Sequence, residues 1–95
     1  MIRHIVLLEL NDAATPERIA EISRQLTALA CPGRTAFAMG IDLGLRQGNM
    51  DLAIVCDFTD ADAFRAYDAD GEHNRIRADL IAPLTTRVER SQFEL

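Results

Sequence analysis

The sequence contains no lysine and no tryptophan, and it has only two serines, two cysteines and one tyrosine. Without a lysine amine, the chain cannot form the Schiff base of an aldolase or a pyridoxal enzyme, and it lacks the lysine of a P-loop. Neither Ser23 nor Ser91 lies in a Gly-x-Ser-x-Gly motif, which argues against a hydrolase of that type. These absences exclude several large classes of enzyme.

Charge and hydropathy exclude two further classes of partner. The net charge of -5 disfavours nucleic acid, because phosphates are bound by basic surfaces. No apolar run approaches the length of a membrane span, and Arg3 and His4 interrupt the N-terminus where a signal peptide would be apolar. Cys31 and Cys56 form no Cys-x-x-Cys motif and favour buried thiols in a reducing compartment, with a disulfide as the alternative. We therefore expect a cytoplasmic protein.

The order of the predicted elements indicates the fold. The 95 residues predict a single domain, 1–95. Hydrophobic patterns predict strands at 2–10, 34–43, 50–58 and 86–93. A first helix is predicted from Pro16 to the stop at Pro32-Gly33. A second helix is predicted from a Thr59–Asp62 capping box to about Ala82, with a break at 68–71. This β-α-β-β-α-β order is typical of an α+β, ferredoxin-like fold with an antiparallel four-stranded sheet.

One face of this sheet is predicted to lack a cover. Both helices pack on the opposite face, so Ile5 and Leu7 on the first strand and Ala53 and Val55 on the third would be exposed in a monomer. An apolar patch of this kind usually marks an interface. Pairing with the same face of a second copy closes it by symmetry, so we expect a homodimer. The alternative is a monomer with a mildly apolar face.

Three polar side chains are predicted to meet between the helices and the sheet. His4 lies on the more apolar face of the first strand, and His73 shares a helical stripe with Ile76. Tyr67 follows Phe64 by about one helical turn. Taken singly, a histidine on an apolar face is more often a core residue bonded to a backbone carbonyl, and Tyr67 is more often a core aromatic. Their convergence favours a functional site, because burying each of these polar groups without a hydrogen-bond partner would cost about 1–3 kcal/mol.

These residues resemble those of a known family. The opening Arg3-His4-Ile5-Val6-Leu7-Leu8, the Pro32-Gly33 pair and the Phe58…Tyr67…His73 spacing are similar to the stress-responsive dimeric A/B barrel (Dabb) family, over nearly the whole chain. The resemblance implies a ferredoxin-like homodimer whose sheets form a barrel. One member, olivetolic acid cyclase, closes a linear polyketide by aldol condensation without a cofactor. Many members have no known reaction, and some plant members are linked to stress tolerance.

The resemblance also implies the site residues. Tyr67 and His73 match the tyrosine and histidine of the cyclase motif, and His4 matches its strand-one histidine. The family often reads Tyr-x-x-His-Pro-x-His, whereas this chain has Asp70 and Gly71 at the His-Pro positions. The more flexible glycine and a carboxylate expected near the pocket rim mean that a shared substrate does not follow.

Three functions stay open. In the first, the chain binds a small hydrophobic carbonyl or aromatic, polyketide-like ligand without a cofactor. His73 then acts as general base, Tyr67 donates a hydrogen bond to the enolate, and His4 orients the substrate or relays the proton. The expected apolar walls of that site are Val6, Leu8, Leu26, Ile54, Phe64 and Ile76. The alternatives are a non-catalytic stress-response or assembly protein and a cofactor-free monooxygenase.

No metal site is predicted, because His4 and His73 would need a carboxylate as a third ligand.

Overall fold

The computed structural model describes all 95 residues and contains one antiparallel sheet with helices on one face. Its elements are β1 (Ile2–Leu10), α1 (Pro16–Ala28), β2 (Arg34–Ile41), β3 (Leu52–Phe58), α2 (Ala61–Ala69), α3 (Gly71–Ile76), a π-helical turn (Arg77–Ile81), a 3-10 turn (Ala82–Leu84) and β4 (Thr85–Glu94). The four strands lie in the order β2-β3-β1-β4, and each pairs antiparallel with its neighbours. The predicted ferredoxin-like α+β fold is therefore confirmed.

Strand alternation divides the sheet into a covered face and an open face. On the covered face, His4 of β1 pairs with Cys56 of β3 on one side and with Gln92 of β4 on the other. This face and the helices enclose the core, whose ten residues are Leu8, Ile22, Leu26, Leu52, Ile54, Cys56, Phe58, Tyr67, Ile76 and Leu84. Leu7 and Val55 point to the open face, where they are only half-buried.

Side chains of residues just before the helices determine where α1 and α2 begin. Thr15 precedes α1, and its hydroxyl accepts a hydrogen bond from the Arg18 backbone N–H at 3.3 Å. The predicted Thr59–Asp62 capping box before α2 is wrong. Asp60 is the N-cap, and its carboxylate accepts from the Ala63 N–H at 2.8 Å. Thr59, one residue beyond the end of β3, instead donates its backbone N–H to the Gly33 carbonyl at 2.9 Å.

Gly33 lies where the chain enters β2 and passes close to α2. Its φ is +85°, a conformation that side chains disfavour. A Cβ at this position would lie 2.6 Å from the Cβ of Ala63, closer than two carbon atoms can approach. The close contact with α2, together with the backbone angle, explains why glycine follows Pro32 here.

The helical segment before β4 is more irregular than its sequence predicts. The break expected at 68–71 occurs at Asp70, which ends α2 and caps α3. After Ile76 the helix widens into the π-helical turn, and Pro83 lies in the 3-10 turn that follows. Such turns often occur at functional sites because they redirect side chains locally.

The loop between β2 and β3 is longer than predicted, because β2 ends at Ile41 and β3 begins at Leu52. The Asp42 carboxylate accepts hydrogen bonds from the Gly44 N–H at 2.8 Å and the Asn49 amide at 3.1 Å. These bonds organise the loop and end the regular strand pairing. Leu43 and Leu45 project from it with 82% and 86% of their surface exposed.

Two remaining expectations concern the cysteines and the membrane. Cys56 is buried and Cys31 is half-buried, and both are free thiols. None of the helices combines the length and the apolar character needed to cross a bilayer.

Candidate active site

A cavity of about 120 Å³ lies between the covered face of the sheet and the helical segment that precedes β4. His4, Tyr67 and His73 all line it, so the structure brings together the three polar residues singled out in the sequence. Each has only 5% of its surface exposed. The cavity is otherwise mostly apolar, which keeps these polar groups largely out of bulk water.

His73 is held by two hydrogen bonds near the start of α3. Its backbone N–H donates to the Asp70 carboxylate at 2.9 Å, and its ring Nδ1 lies 2.9 Å from the Tyr67 carbonyl oxygen. A carbonyl oxygen can only accept, so Nδ1 carries the proton and the neutral ring keeps a free lone pair on Nε2. Burial and the Arg77 charge lower the pKa of His73. His73 is therefore neutral at pH 7 and can accept a proton at Nε2.

Tyr67 stacks directly on His73 in the same cavity. The two ring centroids are 3.8 Å apart and the ring planes differ by 26°. Burial, with a smaller effect from the neighbouring Cys56 thiol, raises the pKa of Tyr67 above its ordinary value. The phenol therefore stays protonated near neutral pH, and it can donate a hydrogen bond but cannot act as a base.

His4 occupies the sheet side of the cavity with the opposite arrangement of its ring nitrogens. The Gln92 side-chain amide donates to Nδ1 of His4 at 2.9 Å, so in the neutral ring the proton lies on Nε2. The imidazole centroid lies 4.8 Å from that of Phe64 and 6.2 Å from that of Tyr67. Burial, partly offset by Asp68, lowers the pKa of His4 to about 4. One cavity thus holds one histidine ready to accept a proton and another ready to donate a hydrogen bond.

The burial of His4 predicts a loss of stability in mild acid. In the unfolded chain His4 takes up a proton near the ordinary histidine pKa of 6.5, whereas in the folded protein it does so near 4. The unfolded state therefore binds more protons between these pH values, and stability falls as the pH drops through this window. His4 should contribute about 2 to 3 kcal/mol to the loss between about pH 7.5 and about pH 4.5.

Urea unfolding at one protein concentration and at both pH values measures this loss. His4→Gln removes the titrating group but keeps a polar side chain that can bond to Gln92. The variant should lose about 2 to 3 kcal/mol less than the wild-type protein over the same interval. Equal losses in the two proteins would contradict the assignment of the acid sensitivity to His4.

Four of the six side chains predicted as apolar walls line the cavity, and two do not. Val6, Leu8, Leu26 and Ile54 line it. Ile76 packs in the core instead, with 1% of its surface exposed, and Phe64 lies behind His4 against Phe58. The structure therefore places these two side chains in the layer between the helices and the sheet, but not beside the cavity.

The sequence reasoning missed the wall formed by the last part of the chain, namely Arg77, Ile81, Ala82, Thr85, Val88 and Arg90. Arg77 and Ile81 follow His73 by four and eight residues, the spacing of one helical face, so this pattern was a signal that could have found them. The alternation of β4 carries the remaining signal, because Val88 and Arg90 share a strand face with Gln92.

The Asp70 carboxylate serves a different purpose from the one expected at the pocket rim. It does not line the cavity. Instead it accepts a hydrogen bond from the His73 backbone N–H, which fixes the start of α3.

No group of three or more His, Cys, Asp or Glu side chains is arranged to hold a metal ion.

One antiparallel sheet of four strands, with the helices packed on a single face, defines a ferredoxin-like α+β domain. The chain belongs to the Stress Responsive A/B Barrel Domain (Dabb) family, whose sequence profile matches residues 2–94. None of the curated proteins matches the chain.

Solved structures show the same fold. A dimeric ferredoxin-like protein of unknown function from Thermobifida fusca is 40% identical, with a TM-score of 0.87 over 99% of this chain and 90% of that one. A similar dimeric protein from Jannaschia sp. is 28% identical, with a TM-score of 0.84 over 99% and 98%. Hydroxynitrile lyase from Passiflora edulis is 18% identical, with a TM-score of 0.82 over 97% and 90%. The first two are dimers, which supports a homodimer here.

Proposed function

We propose that the cavity binds a small hydrophobic carbonyl or aromatic compound and that His73 acts on it as a general base. The observation that carries this proposal is the hydrogen bond from His73 Nδ1 to the Tyr67 carbonyl, which leaves Nε2 free in a neutral, buried ring. A core histidine without a function has no need of an adjoining void. Here the ring lines a cavity of about 120 Å³.

The three polar residues suit proton transfer next to a carbonyl group. His73 Nε2 takes the proton from the α-carbon, and the electrons of the broken C–H bond move into the enolate. The protonated Tyr67 hydroxyl donates a hydrogen bond to the enolate oxygen, where negative charge develops. His4 donates from Nε2 to orient the carbonyl. The enolate can then attack a second carbonyl to form a C–C bond, and the alkoxide that results takes back the proton held on His73. The reverse sequence breaks such a bond, and neither direction requires a cofactor.

The size of the cavity limits which part of a ligand it encloses. An engineered apolar cavity of about 150 Å³ holds benzene, so a space of about 120 Å³ fits a single small ring or a short acyl chain. A longer polyketide-like molecule would therefore extend from the cavity. The hydroxynitrile lyase is named as a lyase on the same fold, which supports C–C bond chemistry as the class of reaction.

Ligand-induced stabilisation tests the binding part of this proposal. A panel of acetophenone, benzoylacetone and phenol should raise the melting temperature, because a ligand at ten times its Kd stabilises the folded state by about 1.4 kcal/mol. For a domain of this size that corresponds to a shift of several degrees.

Two variants show whether the shift arises in the cavity. Val88→Phe fills the space from β4 and should remove the shift for every ligand, while His73→Ala should alter it for the carbonyl compounds. If both variants respond to the panel as the wild-type protein does, the site assignment fails. Absence of any shift in the wild-type protein would favour the non-catalytic assembly role instead.

We also propose that the homodimer forms through the open sheet face. Ile5, Leu7 and Val55 are half-buried there, and the exposed Leu43 and Leu45 extend the apolar surface beyond the end of the sheet. A second copy covers the same surface on its partner by twofold symmetry. The dimeric relatives support this occupant over an unrelated protein.

A further inference from the structure

The mouth of the cavity carries two arginines that the proton-transfer chemistry does not use. Arg77 reaches the cavity from the π-helical turn and Arg90 from β4, so the two guanidinium groups come from different elements of the fold. The rest of the lining is largely aliphatic or aromatic. Two cations at the same opening are unexpected in a chain whose net charge is -5.

The two arginines are held differently. Arg77 is fixed by hydrogen bonds from Nη1 to the Asp68 carboxylate at 3.2 Å and from Nη2 to the Asp68 carbonyl at 3.1 Å, and it also contacts Asn74. These bonds leave N–H donors of the guanidinium unused. Arg90 has neither a salt bridge nor a side-chain hydrogen bond, whereas six other arginines pair with a carboxylate.

The carboxylates near the opening already have partners. The charged side chains that act on the two cavity histidines are Asp68 and Asp70 together with Arg77 and Arg90. Asp68 pairs with Arg77 and Asp70 accepts the His73 backbone N–H, so Arg90 is the guanidinium left without a carboxylate partner. A guanidinium without a partner next to an apolar space is suited to an anionic group attached to an apolar body, because its paired N–H donors match the two oxygens of a carboxylate.

We propose that the ligand of this cavity is an apolar carboxylate, whose ring or acyl chain enters between the helices and the sheet while its carboxylate binds Arg90 and Arg77 at the mouth. This inference rests on the proposed function and narrows its ligand class from hydrophobic carbonyl and aromatic compounds in general to those that also carry a carboxylate. The apolar lining of the cavity favours the ring or acyl chain of the ligand, and the two arginines favour its negative charge.

Benzoate and benzamide test the inference, because they share one ring size and differ in charge. Titrations followed by backbone amide shifts of His4 and His73 should show that both enter the cavity. Benzoate should bind at least about tenfold more tightly, since hydrogen bonds between charged groups are roughly twice as strong as neutral ones. Raising the salt concentration from about 50 mM to about 300 mM should weaken the binding of benzoate alone.

Arg90→Gln separates this inference from the proposed function. The variant should lose about tenfold in affinity for benzoate and keep its affinity for benzamide. Arg65→Gln, an exposed arginine of α2 away from the cavity, should leave both affinities unchanged. If benzamide binds in the cavity and benzoate binds no more tightly, with or without Arg90, the carboxylate inference is overturned while the proposed function stands. If neither compound enters the cavity, both are overturned.

Discussion

Replacing His73 with asparagine is expected to lower the rate of proton abstraction from a bound ketone by about 10²- to 10⁴-fold, the usual contribution of a positioned general base. The asparagine amide can keep the hydrogen bond to the Tyr67 carbonyl that His73 makes through Nδ1 at 2.9 Å. The substitution therefore removes the free ring nitrogen with little change to the local structure. Exchange of the α-hydrogens of acetophenone in deuterated water, followed by NMR, measures the step without knowledge of the natural substrate.

The pH dependence of this exchange gives an independent signature. Burial lowers the pKa of His73 below its ordinary value of 6.5, and only the neutral ring can accept a proton. The rate should therefore rise with pH through a value below 6.5 and level off by neutral pH. Arg65→Gln provides a control variant remote from the cavity. An unchanged exchange rate in His73→Asn, or exchange no faster than in buffer for the wild-type protein, would contradict the assignment of His73 as base.

Placing a charge in the centre of the open sheet face is expected to abolish the homodimer. In Leu7→Arg, each copy would bring one guanidinium into the apolar interface, and an unpaired charge buried in this way costs several kcal/mol. Two such charges per dimer correspond to a weakening of at least about 10³-fold in the dimer Kd. The half-buried Leu7 has room on this face in the separate subunit, so the fold should survive.

Sedimentation at several protein concentrations measures the change, and circular dichroism verifies that the variant is folded. Ala20→Arg adds the same charge to the exposed surface of α1, on the opposite side of the sheet, and should remain dimeric. Val55→Arg, on the neighbouring strand of the open face, should behave like Leu7→Arg. A Leu7→Arg protein that dimerises as tightly as the wild type would refute this interface.

The fold was predictable because its signals are local and agree with one another. Alternation identifies β1 at its observed ends, and Thr15-Pro16 marks the start of α1. The error at the start of α2 occurs where two neighbouring side chains could each cap the same helix. Asp60 caps α2 in place of Thr59, because the Thr59 backbone is bonded to Gly33 just beyond the paired ends of β2 and β3. A pairing between such distant segments has no local pattern in the sequence.

The candidate site was predictable in its polar residues and less so in its walls. His4, Tyr67 and His73 lie on periodic apolar faces, and periodicity aims them into one layer. Which residues of that layer border the void depends on how the helical segment before β4 packs on the sheet, and no local pattern in the sequence records that packing. The hydrogen bonds that decide which ring nitrogen is free are equally invisible in the sequence, since Gln92 and the Tyr67 carbonyl meet the histidines only in the folded sheet and helix.

The two sides of the sheet give this small domain a degree of evolutionary freedom. Residues on β1 alternate between them, so that His4 and Val6 line the cavity while Ile5 and Leu7 point the other way. In the proposed dimer, substitutions at Ile5 and Leu7 act on the subunit interface, whereas in the proposed site, substitutions at His4 and Val6 act on the ligand. Under these two proposals, selection can alter the chemistry of a descendant and its quaternary structure separately, through neighbouring positions of one nine-residue strand.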